Sequence, residues 1–208
     1  MSWAAWLTVV VVCALGAATP GPSLAVVVAH ALGGSRRRGV ACAWAHALGV
    51  GTYALATLAG LAALLRAHPR LLTAITALGA LYLAWLGVGL LRTSAARASL
   101  APTGETAAIG PVRDGLTMAL LNPKITLFFA AVFSQFVGPE PGWLKGAMLC
   151  LTAMAVDGLY YSLVAGVLTS GPGLGWLHRQ GQRLDRLMGL VLLGVAAWAA
   201  LRLAAGPV

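Results

Sequence analysis

Two ionisable residues, Lys124 and Asp157, interrupt long apolar stretches in the second half of the chain. Lys124 lies about ten residues into its stretch, or roughly 15 Å along a helix, near the centre of a ~30 Å hydrocarbon layer. A lysine at such a depth costs on the order of 3 kcal/mol, so it normally faces a cavity or a partner. Lys124 could bind a substrate anion or pair with Asp157. Asp157 could equally bind a proton, a cation or a substrate amine, and a fixed structural ion pair is the alternative.

His46 and Tyr53 are polar residues about two helical turns apart in an apolar stretch of the first half. A histidine can take up and release protons near neutral pH. A hydrogen-bonded histidine at a helix contact is an equally good interpretation of His46. Tyr53 could line a pathway or simply pack, and both interpretations remain open.

Helix breakers occur at two places, Pro20-Gly21-Pro22 and Asn122-Pro123. Proline removes a backbone N–H and frees a carbonyl about one turn earlier, and an unsatisfied group in hydrocarbon costs several kcal/mol. A break is therefore favoured where it meets protein, water or a substrate. The half-helix that follows presents free N–H groups and a partial positive charge, which suit a carboxylate. A plain proline kink is the structural alternative at each place.

The composition indicates that the polar residues and helix breakers described above lie in membrane-spanning helices. The chain has 208 residues, of which 60% are hydrophobic and 9% charged, and its mean hydropathy is +0.87. A soluble domain has roughly 25% charged residues, and apolar runs of about 18 residues indicate membrane spans. The predicted spans are 3–33, 40–65, 71–91, 115–137, 143–169 and 187–203.

Positive charges set the expected orientation. The loops after the first, third and fifth spans hold 9 Arg or Lys residues, the opposite side holds 4, and Lys124 is the fourteenth. The positive-inside rule then puts those loops in the cytoplasm and both termini outside it. The polar segment 92–114 is predicted to be a cytoplasmic linker within one transmembrane domain, 1–208, and it separates residues 1–91 from residues 115–208.

Three spans on each side of the linker would make the second half enter the membrane from the opposite face. The first span of each half contains a proline break, so the pattern predicts an inverted-topology repeat with helices 1 and 4 broken. Inverted repeats underlie many secondary transporters, whose substrates bind between the halves near the bilayer midplane. The prediction is an all-α transporter with Pro20, Gly21, Pro22, Asn122, Pro123, Lys124 and Asp157 at the substrate site, and with His46 and Tyr53 as further candidates.

Several other functions are disfavoured. The net charge of +9 comes from arginines at the ends of apolar runs, which indicates topology rather than nucleic-acid binding. No motif of a metalloprotease or serine hydrolase occurs, so neither an enzyme nor a metal or cofactor site is predicted. A thiol-reductant conduit would need a cysteine in the first span of each half, but the cysteines are Cys13, Cys42 and Cys150. That conduit and a passive channel remain the alternative functions.

The ordered motifs resemble the LysE/RhtB group of the lysine exporter superfamily over nearly the whole chain. The residues that carry the resemblance are Thr19-Pro20-Gly21-Pro22, Arg37-Arg38-Gly39, residues 78–83 with Gly87, Gly115, Leu121-Asn122-Pro123-Lys124, Phe128-Phe129, Gln135-Phe136, and Arg186 with Gly189 and Gly194. The chain departs from the family's usual residues at Ser23, His46, Tyr53 and Ser134.

The resemblance implies six helices in two inverted halves and efflux of amino acids or related metabolites. It further implies an antiporter driven by the proton motive force, with a proton or another cation as the coupling ion. The protein would lie in the bacterial cytoplasmic membrane, in contact with lipid and in a possible homodimer.

Overall fold

A computed structural model describes residues 1–19, 21–67, 71–92, 110–136, 142–168 and 173–205. Within these residues the fold is all-helical, as predicted, and contains no strand. The helices are α1 (Trp3–Ala18), α2 (Pro22–Gly33), α3 (Arg36–Ala67), α4 (Leu71–Arg92), α5 (Pro111–Leu121), α6 (Pro123–Ser134), α7 (Trp143–Leu168) and α8 (Gly173–Ala204). The linker residues 93–109 lie outside the described residues.

Four described helices are long and apolar enough to cross a membrane, at Arg36–Gly60, Thr73–Arg92, Trp143–Val167 and Arg186–Ala204. They coincide with the second, third, fifth and sixth predicted spans. The helix pair α1 and α2 meets the same criteria as one bent span. The predicted fourth span is divided into α5 and α6, of 11 and 12 residues. Each half reaches only about 17–18 Å, so the six-span count stays a prediction.

The predicted loop before the last span was wrong. Residues around Arg179, Arg183 and Arg186 were expected between spans, but α8 is helical from Gly173 onward. The apolar window begins at Arg186, close to the expected start at Leu187. The reason is that arginine and glutamine are good helix formers, so polarity marks the end of the apolar layer and not the end of the helix.

Both predicted breaks are present in the backbone. Helix α1 ends at Ala18, and α2 begins at Pro22 with an angle of 62° between the two helices. Helix α5 ends at Leu121 and α6 begins at Pro123, with Asn122 between them in an extended conformation. Each following half-helix starts with proline, which is favoured there because the first helical N–H has no intrahelical acceptor.

Helix α3 lies at the centre of the bundle, where it packs against α2, α5, α6 and α7, while α4 packs against α8. The closest approaches use glycine. A Cβ on Gly39 would lie 2.8 Å from Ala31 Cβ and 2.9 Å from Ala165 Cβ. Small residues let membrane helices approach closely, so Gly39 allows α3 to pack directly against α2 and α7.

Large apolar side chains are exposed along several helices, as a lipid-facing surface requires. The most exposed include Leu55, Leu78, Leu81, Trp85, Leu159, Leu163 and Leu201. A soluble protein rarely exposes so many contiguous apolar residues. Together with the four apolar helices, this surface identifies a multi-pass membrane protein.

Gly115→Ala should destabilise the protein. A Cβ there would collide with the Cys42 carbonyl oxygen and would lie 3.1 Å from the His46 backbone nitrogen. Overpacking of this kind costs about 1–3 kcal/mol, so we expect a lower thermal midpoint in detergent. Gly60→Ala is the matched control, because no atom of the described residues lies within 4 Å of a Cβ there. Equal midpoints for the two variants would contradict the tight contact between α3 and α5.

Candidate functional site: a polar cavity between the two broken helices

The two breaks line one cavity, although they are about 100 residues apart in the sequence. Gly21 and Pro22 contribute from the first break and Asn122 from the second. The other polar lining residues are Thr19, Ser23, His46, Asp157 and Tyr161. The volume open to the centre of a water molecule in this cavity is about 70 Å³. This is several times the volume that a cavity needs to hold one water molecule. The structure thus brings five of the predicted site residues together.

A direct hydrogen bond joins the two breaks. The Asn122 side-chain amide donates to Ser23 Oγ over 3.2 Å, and both residues are buried. Tyr161 on α7 lines the same cavity as Ser23. Ser23 therefore connects the first turn of α2 to the α5–α6 break, which holds the two half-helices together at this point.

His46 and Asp157 form a buried pair across α3 and α7. His46 Nδ1 and Asp157 Oδ2 are 2.7 Å apart, and the residues are 1% and 8% exposed. When Asp157 is ionised, its carboxylate can only accept a hydrogen bond, and the imidazole then donates from Nδ1–H. The Tyr161 ring lies edge-on to the imidazole at 5.2 Å between ring centroids. These contacts hold the imidazole in one orientation.

The other imidazole nitrogen has no hydrogen-bond partner among the described residues. His46 Nε2 is buried, while the residue itself lines the cavity. Leaving a buried polar atom unsatisfied typically costs about 1–3 kcal/mol. An unsatisfied atom in a residue of the cavity wall is a natural contact point for water or a ligand.

The remaining wall of the cavity is apolar. It is formed by α1, α4, α6 and α8 residues that include Cys13, Leu86, Phe128, Phe129 and Met188. Phe128 and Phe129 make an edge-to-face contact with centroids 5.5 Å apart. The cavity thus joins a polar end that offers charge and hydrogen bonds to an apolar end that offers packing area, which is typical of small-molecule sites.

Three predicted site residues cannot be placed fully. Pro20 lies outside the described residues. The backbone of Pro123 and Lys124 begins α6, but their side chains lie outside the described part. The pairing of Lys124 with Asp157 therefore stays a prediction, and His46 is the Asp157 partner that the structure describes.

Tyr53 does not line the cavity but supports the second break. Its hydroxyl donates to the Leu120 carbonyl over 2.7 Å. Leu120 lies in the last turn of α5, where carbonyls lose their helical partners. Tyr53 therefore satisfies a carbonyl at the end of the half-helix. It neither lines the cavity nor serves only in packing, which were the two interpretations that the sequence allowed.

Tyr53→Phe should lower both stability and transport modestly. The substitution removes one hydrogen bond to the end of α5 and keeps the ring, which costs about 1 kcal/mol. We expect a small drop in thermal midpoint and a few-fold lower transport rate at most. A complete loss of transport with unchanged stability would instead put Tyr53 at the substrate.

Sequence reasoning missed Ser23 and Tyr161 as parts of the site. Ser23 was noted only as a departure from a family pattern, although it follows Pro22 directly. Tyr161 lies four residues after Asp157, a spacing that puts both on one helix face. His30 Nε2 lies 2.9 Å from Asp114 Oδ2, so the protein has a second buried histidine–carboxylate pair. Neither residue of that pair lines the cavity.

The described helices and their lining residues define a multi-pass helical membrane protein with a partly polar cavity between two broken helices. Residues 14–202 match the LysE type translocator family. The chain belongs to this family, as the motifs suggested.

Named relatives are similar over most of their length. The chain is 36% identical to an uncharacterized membrane protein of Pseudomonas aeruginosa over 79% of this chain and 78% of that protein. It is 30% identical to the threonine efflux protein of Escherichia coli K12, over 87% and 88% of the two chains. It is 27% identical to the leucine efflux protein of Enterobacter sp. strain 638, over 86% of each. No solved structure matches the chain.

Proposed function

We propose that the protein is a secondary active transporter that exports amino acids from the bacterial cytoplasm. The observation that carries the proposal is the single cavity lined by both helix breaks and by the His46–Asp157 pair. The relatives named leucine and threonine efflux proteins support the substrate class and the direction. The protein would lie in the inner membrane with both termini outside the cytoplasm, and a proton gradient would drive export.

An amino acid matches the chemistry of the cavity wall. Its carboxylate would lie at the start of α2 and α6, where free backbone N–H groups and the helix dipole favour an anion. Lys124 in the first turn of α6 would add a positive charge. The ammonium group would lie at Asp157 and His46, and the side chain against the apolar wall near Phe128 and Phe129.

The halves would move against each other as an inverted repeat, which exposes the cavity to each side in turn. Two contacts support this relation. Gly87 on α4 and Gly189 on α8 meet reciprocally, because a Cβ on either would lie 2.8 Å from the carbonyl oxygen of the other. Helix α1 packs on α7, and its proposed counterpart α5 packs on α3. Both relations are expected from a pseudo-twofold axis between the halves.

Counterflow in proteoliposomes tests the proposal. Vesicles loaded with unlabelled L-leucine or L-threonine should take up the labelled amino acid transiently, and vesicles without protein should not. An imposed pH gradient should drive net accumulation against the concentration gradient. A passive channel would give no accumulation with a gradient, and failure of both amino acids to exchange would contradict the proposed substrate class.

A further inference from the structure

We propose that His46 Nε2 is the atom at which a proton and the substrate ammonium group exclude each other, which makes His46 the coupling residue of the transporter. This inference rests on the proposed function. It takes the coupling proton from that function and assigns the exchange to one nitrogen. Three observations carry it: the 2.7 Å contact of His46 Nδ1 with Asp157, the lack of a partner for Nε2 among the described residues, and the position of His46 in the cavity wall.

The pair with Asp157 determines what Nε2 can do. With Nδ1–H donating to Asp157 Oδ2, a neutral imidazole has a bare lone pair on Nε2, which accepts a hydrogen bond. A substrate ammonium group is a strong donor, and charge-assisted hydrogen bonds of this kind are the stronger ones. The neutral pair therefore offers an acceptor to the amine, with the Asp157 charge behind it.

A proton on Nε2 reverses this preference. The imidazolium donates from both nitrogens, so Nε2 no longer accepts a hydrogen bond from the ammonium. The positive charge of the ring also repels the ammonium charge. The same nitrogen thus binds either one proton or the amine. Substrate arriving from the cytoplasm expels the proton, and a proton arriving from the outside expels the substrate, which is antiport with one proton per amino acid.

Other titratable groups near the pair are few among the described residues. Tyr161 faces the imidazole from α7, Cys13 lines the cavity from α1, and Cys42 lies one turn away on α3. Asp114 on α5 pairs with His30 on α2. Within this set of described residues, only His46 both lines the cavity and has a titratable nitrogen that lacks a hydrogen-bond partner.

The test compares the pH dependence of counterflow in wild type, His46→Gln and His30→Gln. For one competing proton, the apparent affinity of the wild type for L-leucine or L-threonine should weaken by up to about tenfold per pH unit on the acid side. His46→Gln places an amide that does not titrate near Nε2, so counterflow should be slower but independent of pH. An imposed pH gradient should then drive no accumulation. His30→Gln alters the other buried pair and should keep the wild-type pH dependence.

A wild-type measurement covers the case in which His46→Gln does not fold. Titration calorimetry of the purified protein with the same amino acid, in acidic buffers of different ionisation enthalpy, should show release of up to one proton per amino acid bound. Heat that is the same in all buffers would overturn the inference. So would gradient-driven accumulation by His46→Gln. Absence of wild-type counterflow with both amino acids would refute the proposed function itself, which separates the two failures.

Discussion

Asp157→Asn should reduce transport by at least about 100-fold. Asp157 would make two charge-assisted contacts, to the imidazole and to the substrate ammonium, each worth about 1.5–3 kcal/mol, and each 1.4 kcal/mol corresponds to a factor of ten. Asparagine has nearly the same shape, so the loss comes from the charge and not from a cavity. A neutral amide no longer holds the imidazole in the Nδ1–H tautomer, and the substrate ammonium loses its counter-charge.

Asp114→Asn is the matched control, because Asp114 also pairs with a buried histidine but lies outside the cavity. Both substitutions remove one carboxylate charge from a histidine pair. Purified protein of each variant should be assayed by counterflow at equal reconstituted amounts. If Asp157→Asn transports as well as Asp114→Asn, the His46–Asp157 pair is structural and the proposed site is wrong.

Lys124→Ala should lower efflux by roughly 10- to 150-fold while leaving membrane insertion nearly normal. Lys124 is in the first turn of α6, immediately after the second break, where a positive charge and the helix N-terminus would act together on a carboxylate. Loss of a charge-assisted contact to a substrate anion removes about 1.5–3 kcal/mol of binding. Insertion should not suffer, since alanine is easier to place in hydrocarbon than lysine.

Lys145→Ala is the control for a lysine in a membrane helix without a proposed role. Lys145 lies in the first turn of α7, away from the cavity lining. Efflux from intact cells and the amount of protein in the membrane fraction should both be measured. Unchanged efflux in Lys124→Ala would remove Lys124 from the mechanism.

The breaks in the helices were predictable because their cause is local. Proline is favoured at the first position of a helix, as at Pro22 and Pro123, and Gly21 and Asn122 adopt the extended conformation before it. The apolar windows of α3, α4, α7 and α8 were predictable for a similar reason, since hydrocarbon demands long apolar segments. The conformational preferences of proline determine the breaks, and the hydrocarbon layer of the membrane determines the length of the apolar windows.

The pairing of side chains was not predictable, because it depends on how distant helices meet. The sequence suggested Lys124 as the partner of Asp157 on grounds of charge, whereas the described partner is His46, 111 residues away. The carbonyl contact of Tyr53 and the bond between Asn122 and Ser23 are likewise products of tertiary packing. Uncharged groups such as Ser23 give no signal in an apolar sequence, since they cost little to bury.

A structure determined with the transported amino acid bound tests the central claim most directly. The amino acid should lie in the cavity between the two breaks, with its amine at His46 Nε2 and Asp157 and its carboxylate beside the start of α2 or α6. Density for the amino acid outside this cavity, with Gly21 and Asn122 packed against protein alone, would contradict the account.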